Sequence, residues 1–143
     1  MDEHQMEIGA LKRTPLFAGL GDDDLRNVVA MGTHSHFDAG QNIVEQGDTG
    51  DGMYVVLEGR AQVDVGGRFH NLEPGAFFGE MAMIARRKRS ATVKAVEPVT
   101  AMVVTADDFR EFLLEHPSVA VAMLEGLVDR LREVQERVDA WMA

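Results

Sequence analysis

The sequence has no cysteine, and it has no long apolar run. Without cysteine, the 143-residue chain forms no disulfides and offers no thiolate metal ligands, which fits a reducing compartment. No stretch approaches the roughly 18 apolar residues that a membrane-spanning helix needs, and the first residues resemble neither a secretory signal nor a transit peptide. We therefore expect a cytoplasmic protein without a membrane partner.

Positive charge is also scarce. The chain carries 14 Lys and Arg against 24 Asp and Glu, a formal net charge of −10. This balance disfavours binding to nucleic acid, which relies on basic side chains, so small-molecule and protein partners are expected instead. With 45% hydrophobic and 27% charged residues the composition is that of a globular protein, and the length predicts a single domain over residues 1–143.

The patterning divides the chain into three zones. Residues 1–32 are predicted to be helical, because Asp22–Asp24 place negative charge where a helix begins and Gly32 ends the apolar periodicity. Residues 33–105 consist of short apolar runs separated by turns, which predicts a β-barrel or sandwich. Within this zone, the sequences VGGR at 65–68 and PG at 74–75 predict tight turns.

Residues 106–143 are predicted to form two helices. Thr105 followed by Asp108 resembles a capping box, and Pro117 separates the helices at a predicted hinge over 115–117. Apolar residues of the second helix are spaced alternately by four and three, as in a two-stranded coiled coil. They are Ala120, Leu124, Leu127, Leu131, Val134, Val138 and Trp141. We predict a homodimer through the 117–141 helix; a helix packed on its own barrel is the alternative.

The stretch FGEMAMIARRKRSATV, residues 78–93, places four consecutive cations, residues 86–89, in this acidic chain. Gly79 and Glu80 lie between a strand-like run and a short helix-forming run, where backbone N–H groups and a partial positive charge suit an anion. Glu80 repels a bare phosphate but suits a sugar hydroxyl, and Arg89 presents a planar fork to phosphate oxygens. Together they predict a pocket for a sugar joined to a singly charged phosphate.

This stretch resembles the phosphate-binding cassette of the cyclic-nucleotide-binding domain family, whose pattern is F-G-E-x-A-L, a variable loop, and R-S/A/T-A-T/S-V. The matching residues are Phe78, Gly79, Glu80, Ala82, Arg89, Ser90, Ala91, Thr92 and Val93. Met83 replaces the usual leucine, which conserves volume. The resemblance covers essentially the entire chain. It implies a mainly β fold with flanking helices: a double-stranded β-helix, or jelly-roll-like barrel, with an N-terminal helix, a short cassette helix and a C-terminal helix pair.

The resemblance also implies roles for individual residues. Glu80 would accept the ribose 2′-hydroxyl, Arg89 would hold the cyclic phosphate, and Ser90 with backbone amides of 79–82 would complete the phosphate shell. Phe78, Met81 and Ala91 are further candidate ligand-binding residues. The family's last helix covers the purine; counting from Pro117 places Val134 and Gln135 there, so Gln135 is the candidate base contact, with a surface glutamine as the alternative. The variable-loop cations 86–88 are expected to form a solvated rim.

The implied function is that of a regulatory sensor, not an enzyme, with cyclic AMP favoured over cyclic GMP as the ligand and no other cofactor. Movement of the C-terminal helices would relay ligand occupancy to an unidentified effector protein or domain. An alternative is a dimerisation or docking module of the same fold without a physiological cyclic nucleotide; the presence of both Glu80 and Arg89 favours the sensor.

A cupin-like metalloenzyme is the remote alternative. His34 and His36 are spaced like the paired histidines of cupins, but that motif requires a glutamate four or five residues later, where this chain has Gly40 and Gln41. Two imidazoles alone make a poor metal site. We therefore predict neither a metal site nor catalytic residues.

Overall fold

The computed structural model describes residues 2–142. Helical segments precede and follow a region of eight strands. In chain order the elements are α1 Glu3–Arg13, a 3₁₀ helix at Pro15–Phe17, α2 Asp22–Ala30, β1 Thr33–Phe37, β2 Asn42–Val44, β3 Gly52–Glu58, β4 Ala61–Val65, β5 Arg68–Leu72, β6 Phe77–Phe78, α3 Ala82–Ala85, β7 Thr92–Ala95, β8 Val99–Thr105, α4 Ala106–Glu115 and α5 Pro117–Met142. Met1 and Ala143, the ends of the predicted domain, lie outside the described residues.

The N-terminal zone is helical as predicted, and it contains a helix, α1, that was not predicted individually. Its signal is a capping box: the Asp2 side chain accepts from the Gln5 amide at 2.8 Å, and the Gln5 side chain accepts from the Asp2 amide at 3.4 Å. Helix α2 begins with the three predicted aspartates and buries Leu25, Val28 and Val29. Both helices pack together beside the β region.

The strands of residues 2–142 form two four-stranded antiparallel sheets. The first has the order β1-β8-β3-β6 and the second β2-β7-β4-β5. The β4–β5 hairpin turns at Gly66 and Gly67, with φ angles of 59° and 85°, as the sequence VGGR predicts. These mainly antiparallel sheets with flanking helices confirm the predicted jelly-roll-like fold.

Strand β3 lies between two hydrophobic cores and is buried on both faces. Met53, Val55 and Leu57 pack against the helices, whereas Tyr54 and Val56 face the core between the sheets. Side chains alternate between the two faces of a strand, so one continuous apolar run serves both cores. This arrangement fixes β3 beneath the loop that carries the candidate site.

The C-terminal helices meet at the predicted break. The Thr105 hydroxyl accepts from the Asp108 amide at 3.2 Å and caps α4. Helix α4 ends at Glu115, His116 has the non-helical angles φ −129° and ψ 68°, and α5 begins at Pro117. A proline at the first helical position loses no intrahelical hydrogen bond, so the chain changes direction there at little cost.

Helix α5 packs on the domain through its first ten residues. Val119, Met123 and Gly126 are its buried residues, and the contact is with the 3₁₀ helix and the turn after it. A Cβ at Gly126 would lie 2.7 Å from the Cα of Gly19, so the close approach depends on glycine. Among the described residues, none of the helices combines the length and apolar character that crossing a membrane requires.

Candidate functional site

The cassette, residues 78–93, crosses from one sheet to the other. It leaves β6 of the first sheet at Phe78, turns at Gly79 with φ 80°, forms α3, and enters β7 of the second sheet. Arg86 ends α3 in the left-handed conformation, with φ 38°. The short helix predicted from EMAMIA is thus present as a single turn. Because the cassette bridges the two sheets, its residues lie over the opening between them.

The backbone of the cassette is fixed by the loop before β3. The Gly47 amide donates to Arg89 O at 2.9 Å, and the Arg89 amide donates to Asp48 O at 2.7 Å. Two residues further on, the Gly50 amide donates to Arg87 O at 2.8 Å. Arg89 is therefore held on both its N–H and its C=O, which leaves its side chain as the adjustable part.

The Arg89 side chain is half-buried and oriented by β3. Its Nη2 donates to Gly52 O at 3.0 Å, and its Cζ lies 5.8 Å from the ring centroid of Tyr54. Tyr54 in turn stacks on Phe78 with centroids 4.9 Å apart and an angle of 2° between the rings. Burial raises the pKa of the Tyr54 phenol, and the Arg89 charge opposes this. Since a guanidinium has five N–H donors, Arg89 keeps donors for an anion.

Gly79 is required by both its conformation and its surroundings. Its positive φ is rarely adopted by residues with a Cβ. A Cβ there would lie 2.8 Å from Gly52 O and would collide with the Arg89 guanidinium. The glycine therefore makes the space in which Arg89 lies.

Two cavities meet at the cassette. The first, about 290 Å³, is lined by Gly79, Glu80, Met81, Ala82, Arg87, Lys88, Arg89 and Ser90. The second, about 210 Å³, is lined by Val44, Val63, Val65, Phe78, Gly79, Arg89, Ser90, Ala91 and Val93. They share Gly79, Arg89 and Ser90. The first carries the cations of residues 87–89 and the carboxylate of Glu80, and the second is walled by valines and an aromatic ring, which suits a ligand with an anionic part and a flat apolar part.

Eight of the nine predicted ligand-binding residues line these cavities. They are Phe78, Gly79, Glu80, Met81, Ala82, Arg89, Ser90 and Ala91. The ninth, Gln135, lies on the exposed part of α5 and lines neither cavity. Ala82 carries one of the backbone amides predicted to complete the phosphate shell, and in this structure that amide donates to Gly79 O at 3.1 Å. The valine wall was not predicted; its signal in the sequence is the alternation of inward-facing residues along β2, β4 and β7.

The variable-loop cations do not behave alike. Arg87 and Lys88 are exposed at the edge of the first cavity, in keeping with a rim. Arg86 instead pairs with Asp107 in the first turn of α4. The Arg86 side chain is nevertheless 53% exposed, as predicted for a solvated rim; what the sequence did not predict is the carboxylate that a distant helix brings to it. This ion pair joins the cassette to the C-terminal helices.

Comparison with known proteins places the chain among relatives of known type. A cyclic AMP receptor protein of Thermus thermophilus is 30% identical over 135 residues, which cover 90% of this chain and 62% of the relative. A cyclic nucleotide-gated potassium channel of Rhizobium etli is 34% identical over 116 residues, covering 81% of this chain and 33% of the channel. The chain spans between 18% and 62% of the length of four curated relatives that it matches.

The fold has close structural counterparts. The crystal structure of the N-terminal domain of a transcriptional regulator from Streptomyces coelicolor superposes with a TM-score of 0.75 at 29% identity, covering 89% of this chain and 95% of that one. The family model described as "cyclic nucleotide-binding domain" matches residues 34–116, from β1 to the break between α4 and α5. This match spans the two sheets, the cassette and α4. The chain therefore belongs to the cyclic nucleotide-binding domain family and is a regulatory, ligand-binding module.

Proposed function

We propose that the cassette binds a cyclic purine nucleotide, cyclic AMP in preference to cyclic GMP, and that α4 and α5 relay its occupancy within a single domain. One observation carries this proposal: Glu80 and Arg89 line one cavity, and that cavity shares Gly79, Arg89 and Ser90 with an apolar one. A cyclic purine nucleotide needs a cation for its phosphate, a carboxylate for its sugar hydroxyl and an apolar wall for its purine, side by side. A cytoplasmic location stays a prediction from composition.

The proposed pose follows from the two cavities. The singly charged cyclic phosphate lies against Arg89, whose remaining N–H groups donate to its oxygens, with the hydroxyl and amide of Ser90 nearby. Glu80 accepts the ribose 2′-hydroxyl, which keeps its carboxylate charge away from the phosphate. The purine lies along the valines and Phe78 of the second cavity, where burial of a flat apolar surface is favourable.

The preference for cyclic AMP is supported by a relative, the cyclic AMP receptor protein of Thermus thermophilus at 30% identity. The proposed base contact, Gln135, lies outside both cavities in this arrangement of α5. Its amide can meet an adenine edge only if α5, or the same helix of a second copy, moves over the cassette. The Gln135 contact is therefore part of the proposed ligand-bound arrangement of the helices.

The relay has a physical route from the cassette to α5. Helix α3 contacts α4 directly, and Met83 and Ile84 share a small cavity with Phe109 and Leu113. The Arg86–Asp107 ion pair links the same two elements. A ligand that pulls the cassette inward therefore also moves α4, and the break at His116 lets α5 follow. The ligand shifts this equilibrium only by binding one arrangement better than the other.

We also propose a homodimer through α5. The residues that pack on the domain, Val119, Met123 and Gly126, occupy one side of the helix and leave most of the predicted seam exposed. Leu124 is 62% exposed, Leu131 67% and Trp141 88%. Side chains of this size on one helix stripe are stabilised by burial against a second such stripe. The alternative, a seam packed on its own barrel, would bury them.

Hydrogen–deuterium exchange with and without cyclic AMP tests the relay. We expect slower exchange in the cassette and altered exchange around residues 115–117 and along α5 when the ligand is bound. Slower exchange confined to the cassette would contradict the relay while leaving ligand binding intact. The amides of β1, none of whose residues lines either cavity, serve as the internal control.

A further inference from the structure

Glu3, Glu7 and His34 bring three metal-ligating side chains together where α1 meets β1. One ligand atom from each lies within 4.8 Å of the other two. Glu3 and Glu7 are four residues apart on α1 and so share one face of that helix. His34 comes from β1, which pairs with β8 in the first sheet. The cluster thus joins the N-terminal helix to the sheet, away from the cassette.

The carboxylate of Glu7 is the unusual member of the cluster. Its side chain is only 5% exposed, whereas His34 is 43% exposed and Glu3 lies at the surface. Within residues 2–142 its salt-bridge partner is His34, and the 3.7 Å between His34 Nε2 and Glu7 Oε1 is longer than a hydrogen bond. A buried carboxylate is costly unless it is fully paired. Among residues 2–142, Glu7 therefore points into the cluster with no counter-charge within hydrogen-bonding distance.

Burial has a visible effect on this group. It raises the pKa of the Glu7 carboxyl, and the nearby imidazoles of His34 and His4 oppose the rise. A bound cation would supply a close counter-charge and favour the ionised form of the carboxylate. The arrangement of one fixed, buried ligand and two exposed, adjustable ones is suited to capture an ion from solvent.

We propose that Glu3, Glu7 and His34 form a binding site for a divalent first-row transition-metal ion, with Zn²⁺ and Mn²⁺ as the probes of choice. One imidazole and two carboxylates suit these ions, whereas Mg²⁺ and Ca²⁺ prefer oxygen ligands alone. Metal–ligand bonds of about 2.0–2.2 Å place neighbouring donors roughly 3–3.5 Å apart. Glu3 and His34 therefore close in on the fixed Glu7, and water completes the coordination.

This site differs from the cupin pattern, which the sequence does not complete. The second histidine of that pattern, His36, shares the outward face of β1 with His34, but its Nδ1 lies 3.0 Å from the Thr100 hydroxyl. The carboxylates come from α1 instead, about 30 residues earlier in the chain. His36 is consequently a matched control for His34: the same residue type, on the same strand and face, outside the cluster.

Titration calorimetry on the full chain, without a polyhistidine tag and after treatment with a chelator, tests the proposal. We expect saturable one-to-one binding of Zn²⁺ or Mn²⁺ and no comparable binding of Mg²⁺. His34→Gln and Glu3→Gln should weaken the affinity by about tenfold or more, because each removes one direct ligand. Both side chains are exposed, so neither variant disturbs the core. His36→Gln should keep the affinity of the unmodified protein within about twofold.

Thermal unfolding supplies a second readout. Saturating metal should raise the melting temperature of the unmodified protein and of His36→Gln but not of His34→Gln, since only a ligand that binds the folded state stabilises it. Absence of saturable Zn²⁺ and Mn²⁺ binding would overturn the proposal. It would equally be overturned by affinities that are unchanged in both His34→Gln and Glu3→Gln, or lost in His36→Gln.

Discussion

Replacing Arg89 by leucine removes the proposed phosphate contact while keeping the aliphatic bulk of the side chain. In the free protein the guanidinium makes one hydrogen bond, to Gly52 O at 3.0 Å, and lies over Tyr54. For a half-buried group, these contacts are together worth about 1–2 kcal/mol of folding free energy. The variant should therefore fold and melt roughly 2–8 °C below the unmodified protein.

The effect on ligand affinity should be much larger. A charge-assisted contact to the phosphate contributes roughly 1.5–3 kcal/mol, so the dissociation constant for cyclic AMP should rise by about 10- to 150-fold. Arg89→Lys should fall in between, because it keeps the charge but loses the two-pronged fork. The assay is calorimetric titration at fixed ionic strength, with the folded state of each variant checked by circular dichroism.

Arg68→Leu is the matched control for Arg89→Leu. Arg68 is exposed at the start of β5, lines neither cassette cavity, and its loss changes the net charge by the same amount. We expect its affinity for cyclic AMP to be unchanged. A folded Arg89→Leu protein with undiminished affinity would refute the pocket assignment, and equal losses in both variants would show that overall charge, rather than a specific contact, attracts the ligand.

Three further predictions follow from α5, the cassette and α1. Leu131→Lys should yield monomers by light scattering, since it puts a charge in the proposed seam; an unchanged mass would contradict the α5 dimer. Gly79→Ala and Gly40→Ala each place an alanine at a positive φ, which should cost about 1 kcal/mol of stability. Of the two, only a Cβ at position 79 contacts Arg89, so only Gly79→Ala should also lose ligand affinity by calorimetric titration. Burial raises the pKa of Glu7 above its ordinary 4.5, so folding favours the protonated carboxyl. The contribution of Glu7 to the free energy of unfolding is therefore complete below pH 4.5 and is lost as the pH rises through the raised pKa. In the absence of metal, denaturant unfolding should therefore show Glu7→Gln to be more stable than the unmodified protein at pH 7, and should show no such gain near pH 4. Equal stability of the two proteins at pH 7 would contradict this.

Local signals in the sequence correctly predicted turns, a helix cap and a helix break. The hairpin glycines 66–67, the Thr105 cap and Pro117 each impose a backbone conformation through neighbouring residues alone, and each is present where the sequence places it. The cassette is similarly local, since Glu80 and Arg89 are nine residues apart. Such features need no knowledge of how distant parts of the chain pack.

Contacts between distant elements escaped prediction. The Arg86–Asp107 ion pair joins residues 21 positions apart, and Glu7 and His34 meet only because α1 packs on the sheet that contains β1. The exposed position of Gln135 likewise depends on the direction that α5 takes after residue 117. None of these follows from periodicity or turn chemistry, because each depends on the relative placement of two elements that is decided by core packing.

Ligand binding itself is measured most directly by calorimetric titration of the purified protein with cyclic AMP, cyclic GMP and 5′-AMP, after unfolding and refolding to remove any ligand carried through purification. We predict saturable binding of cyclic AMP, weaker binding of cyclic GMP, and no comparable binding of 5′-AMP, whose open phosphate carries a second negative charge and lacks the cyclic geometry. Absence of saturable binding by either cyclic nucleotide would contradict the sensor and favour a docking module of the same fold.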